Sequence, residues 1–269
     1  MSKNIERMYE LRTAVNEDIK EFSINLKEYA KNNSVNIQGI KPPVAQEFMI
    51  CANMPNDLHK AKRFYKTRPS WKKTPFNNTR NPAYYKYCTE HIENDGLWLE
   101  FGVKAGKSAR IISKIKREDF PNIETPLYGF DSFVGLPEDT EWGHKGHLSV
   151  DGEIPKIDGA SFIKGWFSDT IPEFNSEHGT TPLAFLHIDC DIYTSTVTVL
   201  EGMKDRIVPG TVVLFDDMLS YSQKSDLWVG EEHEFKAFME FVEKYDVEYE
   251  WLAYVLNASQ IACKIKKIN

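Results

Sequence analysis

At 269 residues, the chain is long enough for one full-sized core plus an appendage, and its 41% hydrophobic and 27% charged content is that of a globular protein, not a disordered one. A formal charge of -7 argues against general affinity for nucleic acid. No run of about 18 uninterrupted apolar residues offers a membrane span, Met1 to Arg7 lacks the apolar core of a signal peptide, and Cys51, Cys88, Cys190 and Cys263 follow neither zinc spacing nor a disulfide framework. The expectation is therefore a cytoplasmic protein with reduced thiols and no membrane partner.

In chain order, Ile5, Met8, Leu11, Val15, Ile19, Phe22, Leu26 and Tyr29 recur at steps of three and four and predict a long amphipathic helix. Its narrow stripe suits a coiled-coil-like seam, which points to a homo-oligomer or to packing on its own subunit. From Leu58 to Thr89 the sequence contains no Asp or Glu, while Lys60, Lys62, Arg63, Lys66, Arg68, Lys72, Lys73, Arg80 and Lys86 are basic. These residues alternate with Phe64, Tyr65, Trp71, Phe76, Tyr84, Tyr85 and Tyr87, and Pro69, Pro75 and Pro82 forbid a long helix there. The segment reads either as a solvated arm on an acidic body or as an anion-binding surface.

From Gly96 onward, short apolar runs alternate with helical stretches, the pattern of a mainly parallel, doubly wound α/β sheet. Seven strands are predicted, over Leu97–Phe101, Leu127–Phe130, Ser161–Gly165, Leu183–Ile188, Thr211–Phe215, Tyr249–Leu256 and Gln260–Ile265, the last two as an antiparallel pair. Helices are marked by Ala109, Ile112 and Ile115, by Val197, Leu200, Met203 and Ile207, and by Phe235, Phe238 and Val242. The expected division is a helical and basic/aromatic extension over residues 1–90 and an α/β domain over residues 91–269.

The first of these strands runs through Glu100-Phe101-Gly102-Val103-Lys104-Ala105-Gly106-Lys107-Ser108 into a helix. Gly102 permits a tight turn and Gly106 a close ligand approach. A phosphate-binding P-loop does not fit, because Gly102 and Gly106 are one residue too close, and the dinucleotide fingerprint fails at Lys104. The second strand ends at Asp131-Ser132, where open α/β nucleoside sites place an acid for ribose hydroxyls. Two later runs end in carboxylates, Asp189 and Asp191 after His187-Ile188, and Asp216-Asp217 after Leu214-Phe215. On neighbouring parallel strands these acids share one crevice. At an effective dielectric near 20, two charges about 4 Å apart repel by roughly 4 kcal/mol, so the cluster calls for a hard divalent cation such as Mg²⁺.

Glu-Phe-Gly-Val at 100–103, Gly-Phe-Asp-Ser-Phe-Val-Gly-Leu-Pro at 129–137, Gly-Trp-Phe-Ser-Asp-Thr-Ile-Pro at 165–172, His-Ile-Asp-Cys-Asp-Ile-Tyr-Thr-Ser-Thr at 187–196 and Phe-Asp-Asp at 215–217 together resemble the macrocin O-methyltransferase family. The resemblance covers about Gly96 to the C-terminus. It departs from the family at Lys104-Ala105-Gly106-Lys107. It implies a class I, Rossmann-like S-adenosylmethionine-dependent fold, a Mg²⁺ requirement and methyl transfer to a sugar hydroxyl. It further implies that Glu100, Gly102, Gly106 and Ser108 flank the methionine moiety and Asp131, with Ser132 beside it, holds the ribose. Ser168 and Asp169 border the adenine, Asp189, Asp216 and Asp217 hold the metal, and Asp191 serves as general base, with Asp189 also at the reacting centre. The chemistry agrees, since a sugar hydroxyl is protonated at neutral pH and needs polarisation and a base.

His144 and His147, in a Gly-rich insertion with Trp142, have a spacing open to a metal or a base, but without a Cys or carboxylate partner in a fitting pattern they read as part of a mobile lid, His187 as a core histidine and His233 as part of a solvated helix start. The rival enzyme is a metal-dependent nucleotide-sugar glycosyltransferase using Asp189 and Asp191, and an NAD-dependent dehydrogenase has no use for clustered acids. A further rival is an RNA-binding module or RNA methyltransferase that uses the 58–89 segment.

Overall fold

A computed structural model of the chain describes residues 60–64, 81–140, 143–218, 233–255 and 259–269. The N-terminal apolar stripe, most of the acid-free segment and Trp142 lie outside them. In chain order the elements are β1 (Lys62–Phe64), α1 (Pro82–Thr89), β2 (Leu97–Phe101), α2 (Lys107–Asp119), β3 (Leu127–Asp131), β4 (Ala160–Lys164), α3 (Phe167–His178), β5 (Leu183–Ile188), α4 (Tyr193–Met203), β6 (Val212–Phe215), α5 (Glu234–Lys244), β7 (Glu248–Val255) and β8 (Gln260–Lys267).

The strands form one sheet in the order β1-β7-β8-β6-β5-β2-β3-β4. Every neighbouring pair is parallel except the two made by β8, which runs antiparallel to both β6 and β7. The sheet thus contains the seven expected strands and one more. The addition, β1, is three residues long, too short to leave a periodic signal in the sequence. Every residue of β2 and β5 is buried, as expected of parallel strands covered on both faces.

Helices α1 and α2 pack together over one core of the sheet, which contains Tyr84, Tyr85, Ala109, Ile112, Trp98 and Phe185. Helices α3, α4 and α5 pack side by side as a second group. Helix α1 opens on Pro82, and the Asn81 side chain accepts a hydrogen bond from the Ala83 amide at 3.1 Å. The proline thus occupies a first-turn position, where its missing N–H costs nothing. Tyr84, Tyr85 and Cys88 of α1 are fully buried, so the body that carries the sheet takes in residues before position 91. Helix α3 left no clear sequence signal because Pro172 lies inside it and its buried set is only Thr170, Ile171 and Phe174. Among the described residues, no helix is long and apolar enough to cross a membrane.

From β2 the chain steps outward through β3 to β4, then returns to the other side of β2 for β5 and β6. Connections leaving the carboxyl ends of β2 and β5 therefore diverge and open a crevice between them, the usual ligand position in an open parallel sheet.

Candidate active site

A pocket of about 300 Å³ occupies this crevice, and Gly102, Asp131, Ser132, Ser168, Asp189 and Asp191 line it. Gly102 leaves β2 with φ +91°, and a Cβ built there would sit 1.8 Å from the Asp189 carbonyl oxygen. The turn after β2 and the acid-bearing turn after β5 are thus in backbone contact, which only glycine permits. Asp131 anchors the same turn from β3. Its Oδ2 accepts from the Val103 and Lys104 amides at 2.8 and 2.7 Å, and its Oδ1 accepts from the Phe133 amide at 2.6 Å. A carboxylate has about four lone-pair sites, so ribose hydroxyls could still be accommodated, but the observed bonds make Asp131 a brace of the glycine turn.

The structure does not bring all the sequence-predicted residues to the pocket wall. Gly106 has φ +72°, and a Cβ there would meet Ile157 Cδ1 at 2.6 Å, so its small size serves packing against the β3–β4 connection. Ser108 is buried in α2. Glu100 is 0% exposed and accepts a hydrogen bond from His187 Nδ1 at 3.0 Å, one layer beneath the crevice. Ser132 Oγ accepts from the Val134 amide and Ser168 Oγ donates to Asp169 at the start of α3.

The acids do converge. Ligand oxygens of Asp189, Asp191 and Asp217 lie within 4.8 Å of one another, and a second such grouping joins His187, Asp189 and Asp216. Asp189 belongs to both. Asp216 is 8% exposed and is held from below by the Gln260 amide, with His187 Nε2 3.8 Å away, close enough for charge attraction but not for a hydrogen bond. Burial alone lowers the His187 imidazolium, but the carboxylates of Asp216 and Glu100 outweigh it and raise it to about 9. Burial, then the charges of Asp189 and Asp216, raise the Asp191 carboxyl to about 7 against the opposing pull of Asp217 and Lys104. A donor set made of carboxylate oxygens under mutual repulsion fits a hard divalent cation.

The sequence reading missed Glu234, the first residue of α5. It is 0% exposed, and its two oxygens accept from the Cys190 amide (3.2 Å) and the Asp217 amide (3.0 Å). Burial, with the nearby Asp217 charge, pushes its carboxyl well above the usual range. Nothing in Glu231-Glu232-His233-Glu234 distinguishes this acid from its exposed-looking neighbours. Gln260 was missed for the same reason, being one polar residue opening an apolar strand. His187 is buried and hydrogen-bonded in β5, and His233 occupies the N-cap position of α5. His144 and His147 belong to neither acid grouping among the described residues. Their loop is tied to the segment after β3 by hydrogen bonds from Leu136 N to His147 O and from Gly146 N to Leu136 O, both 2.9 Å.

Residues 99–218 match the family model described as a methyltransferase domain. A rhamnosyl-tetracenomycin-C 4'-O-methyltransferase from Streptomyces olivaceus is 31% identical over 155 residues, covering 49% of this chain and 58% of that protein. Mycinamicin III 3''-O-methyltransferase from Micromonospora griseorubida is 27% identical over 157 residues, covering 49% and 60%. The chain therefore spans less than two thirds of the length of either relative. Among solved structures, a calicheamicin methyltransferase aligns over 68% of this chain and 76% of its own, at 19% identity and a TM-score of 0.49. A methyltransferase of the mycinamycin pathway, solved with Mg and SAH, aligns over 69% and 49%, at 14% identity and a TM-score of 0.44.

Proposed function

We propose that this chain, whose residues 99–218 carry a methyltransferase domain, transfers a methyl group from S-adenosylmethionine to a hydroxyl of a sugar-containing acceptor with the help of a divalent cation. The observation that supports the reading most is the convergence of Asp189, Asp191 and Asp217 beside a pocket that Asp189 and Asp191 line together with Asp131 and the Gly102 turn it braces. Both relatives are O-methyltransferases by name, and the name of one specifies a rhamnosyl-bearing substrate, which supports the acceptor class.

In this reading Gly102 and Asp131 form the cofactor side, with Ser132, Ser168 and Asp169 toward the nucleoside. Gly106 and Ser108 shape the turn and helix behind the methionine end, and Glu100 acts beneath it through His187. Asp189, Asp216 and Asp217 are the proposed ligands of the cation, Asp189 being common to the two separate groupings that contain Asp216 and Asp217, and Mg²⁺ is the natural choice for oxygen donors. When bound, such a cation supplies positive charge that polarises the acceptor hydroxyl. Asp191 is the proposed base, because it lines the pocket beside Asp189, with its carboxylate oxygen within 4.8 Å of those of Asp189 and Asp217, where a carboxylate can take the proton of an acceptor hydroxyl. Aligned groups held by rigid strand ends supply the orientation that methyl transfer requires.

The acceptor is further proposed to be anionic or nucleotide-linked, on the strength of the acid-free stretch from Leu58 to Thr89, and the N-terminal stripe is proposed to mediate self-association. Methyl transfer from labelled S-adenosylmethionine to a rhamnosylated acceptor should be lost in EDTA and return with Mg²⁺. Full turnover in EDTA refutes the cation, and methylation of RNA alone would favour the RNA reading. Matched acceptors with and without a phosphate, compared across a salt series, test the anionic preference; equal, salt-insensitive turnover rules it out.

A further inference from the structure

We propose that Glu234 is a positioning residue that fixes the separation of the two acid-bearing turns and thereby sets the affinity of the site for a divalent cation. The inference rests on the metal-dependent reading given above. Cys190 lies between Asp189 and Asp191, and Asp217 follows Asp216, so the two amides that Glu234 captures belong to the two turns that carry all the clustered acids. The β5–β6 ladder extends as far as the bond from the Asp216 amide to the Ile188 carbonyl, 2.9 Å. One residue further on, the Glu234 carboxylate joins the turns instead, with Oε1 on one and Oε2 on the other.

Two features make this more than packing. Glu234 is 0% exposed, so water cannot replace it at either amide, and an orphaned buried N–H is costly. Asp191 has φ +62°, a left-handed conformation that Asp tolerates better than most residues with a Cβ but still adopts at a cost a local hold offsets. The bond to the Cys190 amide, directly before Asp191, is such a hold. The helix start thus sets where the acids stand without reaching the pocket itself.

The test is Glu234→Gln, nearly the same shape but with an NH₂ facing one of the two amides. Mn²⁺ affinity, read from the electron paramagnetic resonance of the free ion without acceptor, should fall about tenfold or more, in the range typical of groups that orient ligands. Affinity for S-adenosylhomocysteine by calorimetry should stay within about twofold, and kcat should recover at raised metal. A purely structural role would lower thermal stability and leave Mn²⁺ affinity unchanged, and that outcome in a folded variant overturns the proposal. Failure of the wild-type protein to bind Mn²⁺ would instead overturn the metal reading. Should Glu234→Gln not fold, Glu234→Asp replaces it, together with amide exchange in the wild-type protein. Slow exchange at Cys190 and Asp217 supports the proposal, and solvent-like exchange at either refutes it.

Discussion

Gly102 admits no side chain, because its backbone is left-handed and the space where a Cβ would go is filled by the Asp189 carbonyl. Gly102→Ala should therefore cost of order 3 kcal/mol in folding stability and displace Asp189, abolishing both cofactor binding and turnover; denaturant unfolding and calorimetry would show it. Asp131→Ala removes three backbone hydrogen bonds at once. Cofactor affinity should fall by about 1 to 3 kcal/mol, with Asp131→Asn intermediate because one acceptor oxygen remains. Unchanged affinity by calorimetry would detach Asp131 from the cofactor side. That these positions matter was legible in the sequence, since glycine after a strand and an acid closing the next one are local signals. What Asp131 holds was not, because two of its three partners lie 27 and 28 residues away.

Strand β5 ties the site to the core through His187, which lies between Glu100 of β2 and Asp216 after β6. Removing one member of a buried charged pair leaves the other uncompensated, at a cost of about 3 to 5 kcal/mol. His187→Ala should lose stability on that scale, and the double variant with Glu100→Gln should recover part of it. Strict additivity of the two would mean the pair is not coupled. The strands were legible because buried parallel strands read as unbroken apolar runs. Helix α3 was obscured by Pro172, and β1 was too short to show a period. Glu234 and Gln260 were hidden for a different reason: burial of a lone polar residue is decided by which distant turn it meets, and no local pattern encodes that.

For the molecule as a whole, the clustered acids make stability depend on pH and on metal together. Asp191 is raised from 3.8 to about 7, so the folded state holds a proton more tightly than the unfolded chain. Its contribution is therefore full below about pH 4, falls as pH rises toward 7 and stays lost above it. A divalent cation bound by the ionised carboxylates should reverse that loss. The rise in melting temperature caused by Mg²⁺ should therefore be small at pH 5 and larger, by a few degrees, at pH 8. An equal rise at both pH values would place the cation elsewhere. A last consequence follows from β8, which pairs on one side with β6 and on the other with β7. It leaves the ribosome after all the other described strands, yet it sits inside the sheet. Until Gln260 to Lys267 emerges, β6 has an open edge and β7, with β1 alongside, has no route to the rest of the sheet. The nascent chain thus carries adhesive strand edges until β8 emerges. A chain truncated before Gln260 should aggregate during translation rather than fold to a weakened enzyme, and recovery of a soluble, cofactor-binding truncation would contradict this order of assembly.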